Sequence, residues 1–193
     1  MEVIVTAPVN IALVKYWGKC DHLNMHPTNN SVSVTLCQRQ LNTTTRIISD
    51  SSMTACSLKL NGKFQHEIPG RILDVIIIAQ LRARLLNRSV HPYVRIESTN
   101  GFPTAAGLAS SASGLASLAF GLAQMYGLRE DIAGIARRGS GSACRSTYGG
   151  FVHWSVSMGA AGTPISSVVS LYPASYWPTL KVLVCLVSAG IDI

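Results

Sequence analysis

Apolar and polar residues alternate along the first quarter of the chain. Glu2 to Thr6, Ser31 to Cys37 and the β-branched run Thr43 to Ser49 each keep a period near two. That period sends successive side chains to opposite faces, so each run predicts a strand with one face buried. Ser57 to Leu60 and Lys63 to Ile68 flank Asn61-Gly62, the dipeptide favoured in a two-residue hairpin turn. From Arg71 to Asn87 the spacing suits a helix despite the β-branched run Ile76-Ile77-Ile78. An extended run, Tyr93 to Ser98, follows, then a loop of small residues and a helix from Ser110 to Tyr126. Ser110 and Ser111 suit its N-cap, and Gly127 stands where a C′ glycine belongs. Asp131 is placed to cap a short helix ending at Gly139. After a second glycine–serine loop, Gly150 to Val156 and Lys181 to Ser188 predict strands. Strands, then helices, then strands again point to an α+β fold with antiparallel or mixed pairing, not a doubly wound sheet.

Composition narrows the classes. A chain of 193 residues that is 48% hydrophobic and 13% charged can bury one substantial core and is not disordered. The charge of +7, from 16 basic and 9 acidic residues, is spread over Lys15, Lys19, Arg46, the 82–95 region, Arg137, Arg138 and Arg145. A nucleic-acid surface would cluster its charge among aromatic residues, so no nucleic acid is expected; scattered arginines beside glycine loops suit a small polyanion. Ser98 to Leu128 holds no charge, yet Asn100, Pro103, Gln124 and repeated serines and glycines interrupt it, so no membrane span is expected. The first residues lack the basic and apolar segments of a signal peptide. Five widely spaced cysteines, with no Cys-x-x-Cys and no His-x-x-x-His, argue against a disulfide framework or a metal site and for a reducing, cytoplasmic setting.

Three segments carry candidate chemistry. The first, 103–114, is a loop of small residues opening into a helix, where backbone N–H groups can converge on an anion. Tight helix packing would use the same residues. Neither a P-loop nor a dinucleotide fingerprint is present. The second runs from Ala7 to Lys19, with Lys15 and Lys19 enclosing Tyr16, Trp17 and Gly18. An ordinary strand-to-helix turn with solvent lysines is the plainer alternative. In the third, Arg137 to Ser146, serine hydroxyls and the fork of Arg145 could grip a carboxylate or phosphate. A flexible connector would also contain Gly-Ser-Gly-Ser.

Taken together, Ala7-Pro8-Val9-Asn10-Ile11-Ala12 with Lys15-Tyr16-Trp17-Gly18-Lys19, then 102–112, then Arg138 to Ser146 closely resemble the mevalonate diphosphate decarboxylase family of the GHMP kinase superfamily. The resemblance runs from about Val3 to Ser188; the 103–111 loop is common to the superfamily, whereas the other two motifs are specific to the decarboxylases. It implies a GHMP-kinase N-terminal domain, ribosomal-protein-like, with helices on one face of a mixed sheet. It also implies ATP-dependent phosphorylation of the 3-hydroxyl of mevalonate 5-diphosphate, then loss of phosphate and CO₂ to give isopentenyl diphosphate, with ATP and Mg²⁺ as cofactors. By resemblance, Tyr16, Trp17, Gly18 and Lys19 meet the substrate diphosphate, with Lys15 adding charge. Ser140, Gly141, Ser142, Ala143, Cys144 and Arg145 form the second substrate segment, Arg145 orienting the carboxylate, and Arg71 is a further substrate contact. Pro103, Ala105, Ala106, Gly107, Leu108, Ala109 and Ser110 line the ATP phosphates, with Ser111 beside them and Asn10 near the reacting groups. Lys15, Asn10, Ser111 and Arg145 are thus the expected catalytic set.

The resemblance further implies a homodimer in the full-length form. Residues 1–188 are expected to form the N-terminal domain and 189–193 a divergent tail, the C-terminal domain with the family's catalytic aspartate lying outside the chain, so that little turnover is expected of these residues alone. Cys20 stands where a basic residue is common, and Gly101 where an asparagine is. A small-molecule kinase without decarboxylation, and an inactive binding or regulatory module, are the competing readings.

Overall fold

The computed structural model describes residues 1–21, 23–103, 110–159 and 162–185. Strand β1 (Glu2–Pro8) is followed after one residue by β2 (Asn10–Val14), in a different sheet. The short strands β3 (Lys19–Asp21) and β4 (His26–Pro27) pair with each other, and β5 (Ser31–Thr35) and β6 (Asn42–Ile48) come next. The hairpin β7 (Ser57–Leu60) and β8 (Lys63–Gln65) turns on Asn61 and Gly62, at φ 47° and 81°, as its dipeptide predicts. Helix α1 (Gly70–Leu85), strand β9 (Arg95–Asn100) and helices α2 (Ser110–Tyr126) and α3 (Ile132–Gly139) follow. A 3₁₀ helix (Gly141–Thr147) leads into the last two strands, β10 (Phe151–Met158) and β11 (Pro164–Tyr172).

Five strands form one sheet in the order β1-β6-β9-β7-β8, in which only β7 and β9 are parallel; β8 and α1 intervene between them in the chain. Its inner face sets Ile47, Leu58 and Ile96 against Val75, Ala79 and Leu122 of the helices, forming the main core. Its outer face carries Glu2, Arg46 and Glu97 on adjacent strands, with Arg46 2.8 Å from Glu2 and 3.4 Å from Glu97. The helices therefore cover one face only, as expected of an α+β fold. The second sheet, β11-β10-β5-β2, is wholly antiparallel and packs Val152, Trp154 and Val168 against Cys144 and Ala133.

Several expectations need correction. Helix α1 stops at Leu85 because Asn87 takes a left-handed φ of 54°, which lets Arg88 N–H close on the Ala83 carbonyl at 2.9 Å. The glycine–serine segment after α3 is a 3₁₀ helix and not a loose connector. No helix follows Val14: the chain there is strand, coil and strand. Lys181–Cys185 form no regular element, and 186–188 lie outside the described residues. Strands β2, β3, β4 and β11 add to those the periodicity predicts. Among the described residues no helix is long and apolar enough to cross a membrane.

Candidate functional site

Asn10 sits where the chain crosses from one sheet to the other, and its side chain is buried. Its Nδ2 donates to the Ser142 carbonyl at 3.1 Å and to Ser146 Oγ at 2.7 Å. The crossover is thereby tied to the 3₁₀ helix, 132 and 136 residues away in sequence. Gly141 opens that helix because nothing larger fits: a Cβ there would lie 2.6 Å from Tyr16 Oη and 2.9 Å from Trp154 Cη2.

Arg145 projects from the 3₁₀ helix into a buried aromatic setting, 3% exposed. Its Nη1 donates to Ser31 Oγ at 3.0 Å, and its guanidinium carbon lies 5.6 Å from the Tyr16 ring centre and 5.9 Å from that of Trp154. The two rings meet edge to face at 4.8 Å. Such faces attract a cation without neutralising it. Arg145 Nε, Trp154 Nε1 and Ser33 Oγ are buried without a hydrogen-bond partner, and no carboxylate among the described residues pairs with Arg145. Burial drives the Arg145 pKa down and the Tyr16 pKa up, the second opposed by the guanidinium. A buried cation with an orphaned donor lacks an anion.

The other expected residues divide into two groups. Lys15 and Trp17 are exposed, Gly18 and Lys19 half-buried. Asn29 holds this segment from both ends, accepting from Trp17 N–H at 3.1 Å and donating to the Lys15 carbonyl at 3.1 Å, while Thr28 N–H donates to Gly18 O at 3.0 Å. Arg71, Ser110 and Ser111 instead line a cleft of about 230 Å³ with Asn61, Ser98 and Asn100. Arg71 thus lies with the start of α2 and not with Arg145. The two regions adjoin at the end of α3, where a Cβ on Gly139 would lie 3.0 Å from the Arg71 carbonyl, immediately before Ser140. Ala143 and Cys144 are fully buried, and burial pushes the Cys144 thiol up to about 12, so these two could serve a ligand only through their backbone. Ser140 Oγ and Ser142 Oγ lie 3.1 Å apart. Pro103 is exposed; Ala105, Ala106, Gly107, Leu108 and Ala109 lie outside the described residues.

Ser31, Asn29 and Trp154 were missed by motif reasoning. Their signals were faint: a buried serine in an alternating strand, and a tryptophan on the inward register of another. A hollow of about 770 Å³ beside the 3₁₀ helix, between β1, the end of β5 and 174–180, has no charged side chain in its lining and does not suit an anion.

The helix-backed mixed sheet with its second, antiparallel sheet is an α+β domain of the GHMP kinase type. The chain belongs to the diphosphomevalonate decarboxylase-like N-terminal domain family, whose pattern matches residues 7–164. It is 45% identical to human diphosphomevalonate decarboxylase over 193 aligned positions, covering 95% of this chain and 48% of that enzyme. The crystal structure of mevalonate diphosphate decarboxylase from Staphylococcus aureus superposes with a TM-score of 0.76 at 39% identity, over 89% of this chain and 50% of that one. A solved complex of MDDEF with MVAPP, AMPPCP and magnesium superposes with a TM-score of 0.75 at 37% identity, over 91% and 52%. The chain spans about half the length of the curated relatives it matches.

Proposed function

We propose that residues 1–188 are the N-terminal domain of an ATP-dependent decarboxylase that converts mevalonate 5-diphosphate to isopentenyl diphosphate. The observation that carries this reading is the buried Arg145, with its unpartnered Nε and no carboxylate partner among the described residues. An anionic ligand group supplies the missing partner, and the planar fork suits a carboxylate. Arg145 orients that group, with Ser140 and Ser142 offering hydroxyls beside it. Asn10 fixes the helix that presents them. Tyr16, Trp17, Gly18 and Lys19, with Lys15, hold the diphosphate on the segment clipped by Asn29.

The cleft with Arg71, Ser110 and Ser111 fits the nucleotide phosphates: α2 begins there with no acidic residue in its first turn, and a guanidinium lines the same space. ATP would supply the phosphoryl group. Mg²⁺ would come with the nucleotide phosphates, as phosphoryl transfer ordinarily requires. Arg71, a substrate contact by resemblance, would reach the substrate from this cleft. The full-length protein is read as a homodimer and as cytoplasmic, in keeping with the unpaired cysteines of the described residues.

Calorimetric titration of mevalonate 5-diphosphate into the chain tests the anion site. Binding should weaken about tenfold or more in Arg145→Gln, about 1.4 kcal/mol, and less in Arg145→Lys. Equal affinity in all three would overturn the assignment. Decarboxylation is tested by CO₂ release from a polypeptide that also contains the segment matching the relatives' second half; phosphorylation without CO₂ would leave a kinase.

A further inference from the structure

Asn24 is exposed at the turn of the β3–β4 hairpin, yet hydrogen bonds meet on it from two sides. Its backbone N–H donates to Asp21 Oδ1 at 2.9 Å, and its Nδ2 to Asp21 Oδ2 at 2.8 Å. From α3, Arg137 Nε donates to its carbonyl and Arg138 Nη1 to its Oδ1, each at 2.9 Å. The backbone N–H of Asn24 first, and then its amide, hold the Asp21 carboxyl below the usual carboxylate range. Met25 follows at a left-handed φ of 59°, a conformation that a residue other than glycine keeps where its neighbours fix it.

The residue type matters at this position. Arg138 needs an acceptor and Asp21 needs a donor, and a carboxamide offers both at once. An aspartate would turn acceptors toward a carboxylate, and a leucine would satisfy neither neighbour. The amide thus links a cation on α3 to an anion on β3, 114 residues apart from Asn24 to Arg138. Asp21 closes the strand that Lys19 opens. Arg138 precedes Gly139, where α3 ends, and Ser140, which caps the 3₁₀ helix carrying Arg145. Lys19 forms no ion pair among the described residues, so nothing of that kind competes for its charge.

We infer that Asn24 is a positioning residue for the substrate: it docks the hairpin bearing Lys19 onto the helix end that leads to Arg145, so that the two anionic ends of the ligand meet segments already held together. The inference rests on the reading above of Lys19 and Arg145 as substrate residues. Asn24 acts through Lys19 and touches no ligand itself. A site assembled in advance loses less freedom on binding, and that difference appears as affinity.

Calorimetric titration of mevalonate 5-diphosphate into a set of variants tests it, with urea unfolding to check that each is folded. Asn24→Leu should weaken binding about twofold to tenfold, and Lys19→Ala about tenfold. If Asn24 acts through Lys19, the double variant should stay within about twofold of Lys19→Ala alone, whereas a general loosening of the fold would add its own cost. Asn24→Asp should also weaken binding, by setting two carboxylates side by side. Exchanging the pair, Asn24→Asp with Asp21→Asn, should restore it, because Arg138 again meets an acceptor and the two side chains again share a donor. Unchanged affinity in Asn24→Leu, losses that simply add, or an exchanged pair that fails to recover would each overturn the inference. In all three cases weaker binding by Lys19→Ala and Arg145→Gln would leave the functional reading standing. Indifference of binding to both of those variants would remove the reading, and the inference with it.

Discussion

Gly141 shows how far a single side chain decides the site. A methyl group there would press on Tyr16 Oη at 2.6 Å and on the Trp154 ring at 2.9 Å, the two aromatics that enclose Arg145. Gly141→Ala is expected to cost about 1–3 kcal/mol of stability through overpacking. It should also weaken mevalonate 5-diphosphate binding beyond what that loss explains. Urea unfolding and calorimetry separate the two effects, and an Ala variant with unchanged affinity would show the cage to be loose. At this scale the motifs were informative: Asn10, named through the resemblance, binds the 3₁₀ helix that carries Arg145. Ser31 and Trp154 could not be found that way. Their tie to Arg145 comes from the pairing of β5 with β10, and Ser31 is 114 residues from the arginine it binds.

At the scale of elements, α2 is fastened to the sheet by hydroxyls where a core would ordinarily use methyl groups. Thr43 Oγ1 lies 2.6 Å from Ser113 Oγ, and Thr45 Oγ1 lies 2.6 Å from Ser117 Oγ and 2.9 Å from Ser98 Oγ. Ser117 also donates to the Gly114 carbonyl at 2.8 Å. These bonds fix the first turns of the helix whose start lines the Arg71 cleft. Thr45→Val, close in shape, should cost about 1–3 kcal/mol in urea unfolding by leaving buried hydroxyls short of a partner, with Thr45→Ser largely neutral. The β3–β4 hairpin is held by Arg137, which donates to the Asn24 carbonyl at 2.9 Å and to Ser166 Oγ at 2.8 Å. Ser166 Oγ lies 2.8 Å from His26 Nδ1. Burial, and then Arg137, lower the His26 pKa below its ordinary 6.5. Below 6.5 the unfolded chain gains protons that the folded His26 does not take, so the stability this residue gives is complete above about 6.5 and falls on acidification. His26→Gln should flatten that part of a melting-temperature profile between about pH 5 and 7. The hairpin itself was illegible because its strands are three and two residues long, too short for any period to show.

For the molecule as a whole, the α+β class and the order of strands and helices could be read from periodicity, most clearly for β1, β6, β7 and β9, whose inner face lies against the helices. What could not be read was the partition into two sheets. Val9 alone separates β1 from β2, and nothing in Pro8-Val9-Asn10 announces that the partners change there from β6 to β5. The Lys181–Cys185 segment, apolar after its lysine, reads like a strand yet forms no ladder among the described residues, because an apolar run specifies burial and not a neighbour. Joining the sheets through one residue makes Asn10 answerable to both, and Asn10→Ala should lower cooperativity as well as stability, seen as a smaller urea m-value.

The solitary guanidinium between Tyr16 and Trp154 has a consequence beyond chemistry. Without a ligand, the fold carries an almost wholly buried positive charge that no acid among the described residues offsets. Whatever fills that place acts as an absent piece of the interior, adding about 2.7 kcal/mol at a hundredfold excess over its dissociation constant. The folded population, and with it resistance to cellular proteases, should then rise and fall with the supply of the small anion proposed for this place.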